Sequence, residues 1–120
     1  MPKHDIFHTY QAHIAGTAYI AIPRGLGTEA RVEIQVLRPA GIDDVTGAIV
    51  DASGRLIEAS RLTAGPAGQE YLQTIGVDGL PEQLRSAFQR LAAAVMAQHP
   101  APVPYAAIDI LSLPRQHLAL

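Results

Sequence analysis

Three of the five histidines lie near the start of the chain, at His4, His8 and His13. Imidazole is a common zinc ligand, so the chemistry that these three residues suggest is metal binding. On a strand, His4 and His8 would point to one side and His13 to the other, and a spacing of four residues suits a helix better than a strand. We interpret them as surface histidines and predict no metal site and no cofactor.

The sequence also lacks a recognisable nucleophile. There is no cysteine, and Ser53, Ser60, Ser86 and Ser112 lack the flanking glycines of a strained nucleophile turn. The glycines of the segment 24–27 follow a predicted strand, but another strand follows them, whereas a phosphate loop needs a helix N-terminus. We therefore predict no catalytic residues.

Four other residues could line a ligand pocket between a helix and a sheet: His8, Tyr10, Arg24 and Glu33. They would supply an imidazole, a phenol, a guanidinium and a carboxylate. This set defines the alternative interpretation of the chain, as a small enzyme or ligand-binding protein.

The clearest element is a helix between Leu80 and Pro100. Its apolar residues recur with the period of an amphipathic helix, at Leu84, Phe88, Leu91 and Val95. Pro81 suits a first turn, and Pro100 prevents continuation, so His99 is expected among the last helical residues.

The remaining segments predict strands. Even-numbered apolar residues from Ile6 to Ile22 indicate one long bent strand or two short ones, interrupted at Gly16 and ended by Pro23. Further strands are expected at 30–38, 45–50, 55–62 and 105–113, with the turn Asp51–Gly54 joining 45–50 to 55–62. The segment 69–77 fits a strand or a short helix, with strand preferred.

Together these elements predict an α+β fold with two layers. An antiparallel sheet of four to five strands is packed by one long C-terminal helix, and a final strand follows. We expect a single domain over 1–120, with 114–120 a loose C-terminal tail. The predicted core consists of Leu84, Phe88, Leu91, Val95, Ile14, Ile20, Ile22, Val32, Ile34, Val36, Ile49, Val50, Ile108 and Ile110.

The segments GAIVDASGRLIEAS and YAAIDILS, on either side of the predicted helix, resemble the second, third and fourth strands of the ribonuclease H fold. The resemblance implies a carboxylate on the fourth strand that helps to hold a divalent metal ion, a position that Asp109 would take. Glu33 and Glu82 would be the further acids around Mg²⁺. The family's aspartate on the first strand has no counterpart here, so this nuclease is only a variant of the enzyme alternative.

One helix covers one face of such a sheet, which leaves the second face to be covered. The apolar candidates for that face are Tyr19, Leu37, Ile57 and Leu62. Monomers avoid large exposed apolar patches, so we expect a homodimer with these residues at its interface.

Composition limits the partners. A net charge of −2 and 17% charged residues provide no basic field for nucleic acid, and no apolar run is long enough for a membrane span. We expect a cytoplasmic protein that binds neither nucleic acid nor membrane. The favoured function is a small non-catalytic binding or assembly protein that dimerises through its sheet and contacts a protein partner.

Overall fold

The computed structural model describes residues 7–38, 41, 44–106 and 109–120. Within them lie a seven-stranded sheet and one α-helix, so the α+β class is confirmed and the prediction of four to five strands was wrong. The strands are β1 (Thr9–Ile14), β2 (Thr17–Arg24), β3 (Arg31–Val36), β4 (Val45–Asp51), β5 (Leu56–Ala64), β6 (Glu70–Ile75) and β7 (Arg115–His117). Their order across the sheet is β6-β5-β4-β3-β2-β1-β7, and all neighbours are antiparallel except β1 and β7.

A two-residue turn divides the first alternating segment into β1 and β2. Ala15 and Gly16 have φ values of 52° and 82°, as in the primed turns that join closely paired strands. The pairing Ile14↔Thr17 closes this hairpin. Two short strands are therefore correct, but β2 continues through Pro23 to Arg24 rather than ending at the proline.

This turn also decides which side chains face the helix. Tyr10 pairs with Ala21 and Ala12 with Tyr19, so even positions of β1 share a face with odd positions of β2. The face prediction for Tyr19 was wrong for this reason: its ring lies against the helix, 5.2 Å from Phe88 and nearly perpendicular to it. Ile20 and Ile22 consequently point to the second face.

The helix α1 (Glu82–Met96) packs across β1 to β5. Phe88, Leu91 and Val95 are fully buried, while Leu84 is half-buried. The helix ends at Met96, three residues before the expected His99. Beyond it the N–H groups of Gln98 and His99 donate to the residues three positions back, and His99 has a φ of 51° just before Pro100. No helix in the described part of the chain is long and apolar enough to cross a membrane.

After the helix, the chain crosses the second face as a strap, which we define as residues 100–106 and 109–114. Val103 is buried there against Ile20 and Ile22, and Ile110 and Leu113 pack around them. The predicted strand 105–113 is not formed in its described part, since Ile110–Ser112 is a 3₁₀ turn; Ile108 lies outside the described residues.

The last residues form β7 instead of the expected loose tail. Arg115–His117 pairs in parallel with β1, beginning at Thr9↔Arg115. The backbone N–H of Thr9 donates to the carbonyl of Pro114 at 2.9 Å, and that of Leu118 donates to Gln11 at 2.8 Å. One edge of the sheet is therefore closed by a strand of three residues.

Candidate functional site

Two of the four predicted ligand residues meet on the second face. The Nε of Arg24 donates to Oε1 of Glu33 at 3.1 Å, and only 7% of the Arg24 side chain is exposed. The Nη1 atom donates to the carbonyl oxygens of Val103 and Pro104, at 2.9 and 3.0 Å. The guanidinium thus holds the strap against the ends of β2 and β3.

Tyr105 completes this cluster, although no pattern in the sequence singled it out. Its ring lies 4.2 Å from the guanidinium carbon of Arg24, a cation–π contact, and its hydroxyl donates to Oε2 of Glu33 at 2.8 Å. Arg31 donates to the same hydroxyl. Desolvation, and then the hydrogen bond to Glu33, raises the pKa of the Tyr105 phenol above its usual range.

The other two predicted ligand residues lie elsewhere. Tyr10 is buried on the helix face, where burial raises the pKa of its phenol. His8 is exposed just before β1. The sheet therefore separates Tyr10 from Arg24 and Glu33, and the four residues do not form one pocket.

The predicted interface residues are also divided among different surfaces. Leu37 packs at the edge of the apolar group under the strap, and Leu62 is half-buried opposite Leu72 on the second face. Ile57 lies at a register shift of β4 and β5 and lines a groove beside the helix, with Arg85 and Gln89. Tyr19 is in the helix-face core. Only Leu37 and Leu62 lie on the face for which all four were nominated.

The strap covers the second face over β1 and β2, and an open groove remains over β3 to β6. This groove, of about 520 Å³, is lined by Glu33, Ile49, Glu58, Ser60 and Leu72, among others. Its surface is mixed, because the branched apolar side chains alternate with carboxylates and a hydroxyl. It is smaller and more polar than the continuous apolar face that the sequence predicted.

The end strand β6 is the most exposed part of the sheet among the described residues. Its residues from Glu70 to Thr74 are all exposed, with Leu72 at 65% and Tyr71 at 47%. Edge strands in native proteins are commonly blunted by proline, lysine, a bulge or short length. The sequence EYLQTI contains neither proline nor lysine, and its pairing with β5 shows no register shift.

The backbone of β6 has a defined outer row of hydrogen-bonding groups. The N–H of Gly65 donates to the carbonyl of Gln69 at 2.6 Å, which makes this a hydrogen-bonded pair. Hydrogen-bonded pairs recur at every second residue, so the odd-numbered residues of β6 bond to β5. Alternate residues of an antiparallel strand direct their N–H and C=O groups to opposite sides. The backbone N–H and C=O groups of Glu70, Leu72 and Thr74 therefore point away from β5, in the plane of the sheet and beyond its edge.

A second groove lies beside the helix, between its first turns and the β1–β2 turn. It has a volume of about 790 Å³ and is lined by His13, Ile14, Leu84, Arg90 and Leu120, among others. Its size falls within the range of small-molecule pockets, roughly 300–1,000 Å³. Sequence reasoning missed it because it arises where the Ala15–Gly16 turn approaches the helix.

Metal chemistry has no assembled donor set in the described part of the chain. No group of three or more His, Asp or Glu residues there could hold a metal ion, and His4 lies outside those residues. The acids implied by the ribonuclease H resemblance are separated. Asp109 caps the 3₁₀ turn through Leu111 N–H, Glu33 binds Arg24 on the second face, and Glu82 begins the helix on the other face.

No protein-family model, curated protein or solved structure matches this chain. The features that bear on function are therefore the exposed edge of β6 and the contacts of Arg24 and Glu33 within the fold.

Proposed function

We propose that this chain is a small non-catalytic assembly protein that dimerises through its sheet, with strand β6 as the joining element, and that contacts a protein partner through its remaining surface. The observation that carries the proposal is the outer edge of β6, where the outward backbone groups of three residues have no partner among the described residues and lie beside exposed Tyr71 and Leu72. Pairing with a second strand would satisfy those groups and cover both side chains.

The polar cluster on the second face supports the same interpretation. Arg24, Glu33 and Tyr105 are engaged with one another and with strap carbonyls, so the charged groups nominated for ligand chemistry stabilise the fold. In addition, β7 closes the opposite edge with only three residues. The longer uncovered edge at β6 is the better place for association.

Light scattering at micromolar concentration tests this proposal. We expect a mass near twice 12.8 kDa for the parent chain. Leu72→Lys should shift the mass to that of one chain, because two copies would place lysines close together at the joint. Leu111→Lys is the matched control, since Leu111 is exposed to nearly the same extent, 63%, but lies in the strap.

A monomeric parent chain would refute the proposal, as would a Leu72→Lys variant that remains dimeric. If Leu72→Lys and Leu111→Lys both had the mass of one chain, any added charge would disrupt association, and β6 would not be identified as the joining strand.

A second candidate function is ligand binding in the groove between the helix and the β1–β2 turn. The supporting observation is its volume together with its composition, an apolar floor from Ile14 and Leu84 beside His13 and Arg90. A thermal-shift screen with metals, nucleotides, and acyl or sugar ligands tests it, because a ligand that binds only the folded state raises Tm. A rise that disappears in Arg90→Ala would favour this function over assembly alone.

A further inference from the structure

We infer that two copies of β6 join in one antiparallel register, with Leu72 opposite Leu72 of the partner subunit on the twofold axis. This inference rests on the proposed function and specifies the partner surface for it. It is determined by which backbone groups face outward, by the position of the only charged residue in β6, and by the neighbour of Leu72 on β5.

The outward-facing backbone groups limit the possible registers. In an antiparallel pair of strands, two opposite residues exchange hydrogen bonds only if the N–H and C=O groups of each point toward the other strand. In β6 these are Glu70, Leu72 and Thr74. With Leu72 on the axis, Glu70 pairs with Thr74 of the partner subunit and Thr74 with Glu70 of the partner subunit, so all three outward residues are used.

Shifting one strand by two residues in either direction moves the twofold axis to Tyr71 or to Gln73, and leaves one of the three outward-facing residues of each strand unpaired. Placing Tyr71 on the axis pairs Glu70 with Leu72 of the partner subunit and leaves Thr74 beyond the pair. Placing Gln73 on the axis pairs Leu72 with Thr74 of the partner subunit and leaves Glu70 out. The Leu72 register therefore gives the most hydrogen bonds, about six from three pairs that exchange two bonds each.

Charge favours the same arrangement. Glu70 is the only charged residue of β6, and it lies at one end of the strand. With Leu72 on the axis, each Glu70 lies beside a threonine, and the two carboxylates are at opposite ends of the joint. Like charges placed directly opposite each other destabilise a strand pair, so self-association of this edge meets no such penalty.

Side-chain packing across the joint is also self-complementary. Leu62 of β5 is opposite Leu72 of β6 on the second face. The twofold register would extend this pair into a row of four leucines, Leu62 and Leu72 from each subunit. The 65% exposure of Leu72 would fall because its neighbour on the open side would be the same apolar side chain.

Disulfide cross-linking tests this register directly. The natural chain has no cysteine, so each introduced cysteine can bond only to its copy in the partner subunit. Three single variants are compared under mild oxidation: Tyr71→Cys, Leu72→Cys and Gln73→Cys. Directly opposed residues in a hydrogen-bonded pair have Cα atoms about 5.5 Å apart, within the range for a disulfide. Diagonal neighbours are roughly 7–8 Å apart, which is too far for one.

We expect Leu72→Cys alone to form a covalent dimer. Tyr71→Cys and Gln73→Cys should remain uncrosslinked when each is oxidised alone, and should form a mixed disulfide when the two are combined. The mixture of Tyr71→Cys and Gln73→Cys tests the same register if Leu72→Cys lowers stability. In this register Tyr71 is directly opposite Gln73 of the partner subunit, at a non-hydrogen-bonded position where the Cα atoms are closer.

Self-crosslinking of Tyr71→Cys or Gln73→Cys instead would overturn the register and identify the shifted one. A mass of two chains with no cross-link at any of these positions would also overturn it, while leaving the proposed function intact at another surface. A mass of one chain in every variant and in the parent would refute both.

Discussion

Arg24 connects three parts of the chain that are far apart in sequence. Its guanidinium binds Glu33 on the neighbouring strand and the carbonyl oxygens of Val103 and Pro104 in the strap, and lies under the ring of Tyr105. Removing one partner of a buried ion pair leaves the other charge without compensation. Arg24 thus adds a charged attachment near β2 to the backbone bond from Val103 N–H to the carbonyl of Pro23, 2.8 Å, and to the packing of Val103.

We therefore predict that Arg24→Ala lowers the free energy of unfolding by about 3–5 kcal/mol, as expected for breaking a buried pair. Arg24→Lys should recover little, since an ammonium group lacks the planar fork that reaches Glu33 and the strap carbonyls together. Urea denaturation measures both changes.

Arg31→Ala is the matched control, because Arg31 belongs to the same cluster but its side chain is 33% exposed and its ion pair with Glu33 spans 3.8 Å. It should lose less than about 1 kcal/mol. Equal losses for the two alanine variants would show that burial of Arg24 is not what stabilises the strap.

Tyr105 gives the cluster a pH dependence on the alkaline side. Its folded-state pKa is raised, so the neutral phenol is favoured in the folded chain. The stability from this group is complete below the usual tyrosine pKa of about 10 and is lost as the pH rises through the higher folded value. We predict that Tyr105→Phe removes this part of the alkaline loss.

Two measurements check the tyrosine prediction. Denaturation midpoints at neutral and alkaline pH should differ less in Tyr105→Phe than in the parent chain. Phenolate absorbance, subtracted between the two proteins, should show one group that titrates above pH 10 in the folded state. A difference curve centred at or below the usual value would contradict the assignment.

At the scale of elements, the turn between β4 and β5 requires an unusual backbone. Gly54 has a φ of 85°, and a Cβ added there would meet no atom within 4 Å, so substitution would be opposed by backbone strain alone. An L-residue in the left-handed region costs roughly 1–2 kcal/mol, and a branched one more. We predict that Gly54→Val lowers unfolding free energy by at least this amount.

Gly76 provides the control for that strain. It also has no atom within 4 Å of an added Cβ, but its φ is −66°. Gly76→Val should therefore be tolerated, and thermal melts of the two variants isolate the effect of φ. Similar Tm values would mean that the turn adapts to the side chain.

The helix is stabilised mainly through its buried stripe. Phe88 is fully buried and contacts the ring of Tyr19 edge-on. Phe88→Ala should cost about 3–5 kcal/mol because it leaves a cavity between the layers. Arg85→Ala, on the partly exposed side of the same helix, should change stability by no more than roughly 0.5 kcal/mol in denaturant titration.

Local patterns, namely the apolar period and the residues of one tight turn, predicted several elements. The helix stripe, β3, the β4–β5 hairpin and the preference for a strand at 69–77 agree with the structure. Faces were harder to assign, because the two residues of the Ala15–Gly16 turn reset the alternation between β1 and β2. The break was expected at Gly16, but its change of phase was not, so Tyr19, Ile20 and Ile22 were assigned to the wrong faces.

Long-range contacts could not be predicted in the same way. Tyr105 lies 72 positions from Glu33, and Arg24 lies 79 positions from Val103. The residues nominated at Arg24 and Glu33 were brought together, but a local pattern cannot show which distant segment they hold. The three-residue β7 was missed because so short a strand forms only through its pairing with β1.

For the whole molecule, the strap changes the argument about uncovered faces. The sequence interpretation left one face of the sheet bare, whereas Val103, Ile110 and Leu113 cover its β1–β2 side within one chain. The part that remains open lies toward β6, where the edge is also unpaired. The open part of the second face and the outer edge of β6 lie at the same end of the sheet, so both favour association there.

Association at this edge should stop at the dimer. A twofold joint uses β6 of both copies, and the other edge is the short β7, so no equivalent strand is left to extend the sheet. We predict a mass near twice 12.8 kDa that does not increase as the protein is concentrated, measured by sedimentation equilibrium.

Salt should have little effect on this dimer, since Glu70 is the only charged residue of β6 and the joint consists of backbone hydrogen bonds and leucine contacts. Raising ionic strength to roughly 1 M shortens the Debye length to about 3 Å and would weaken a dimer held by surface ion pairs. The dissociation constant should thus stay within about threefold, or roughly 0.6 kcal/mol, across that range. A steep loss of the dimer with salt would assign the contact to the charged surfaces beside the helix and exclude β6.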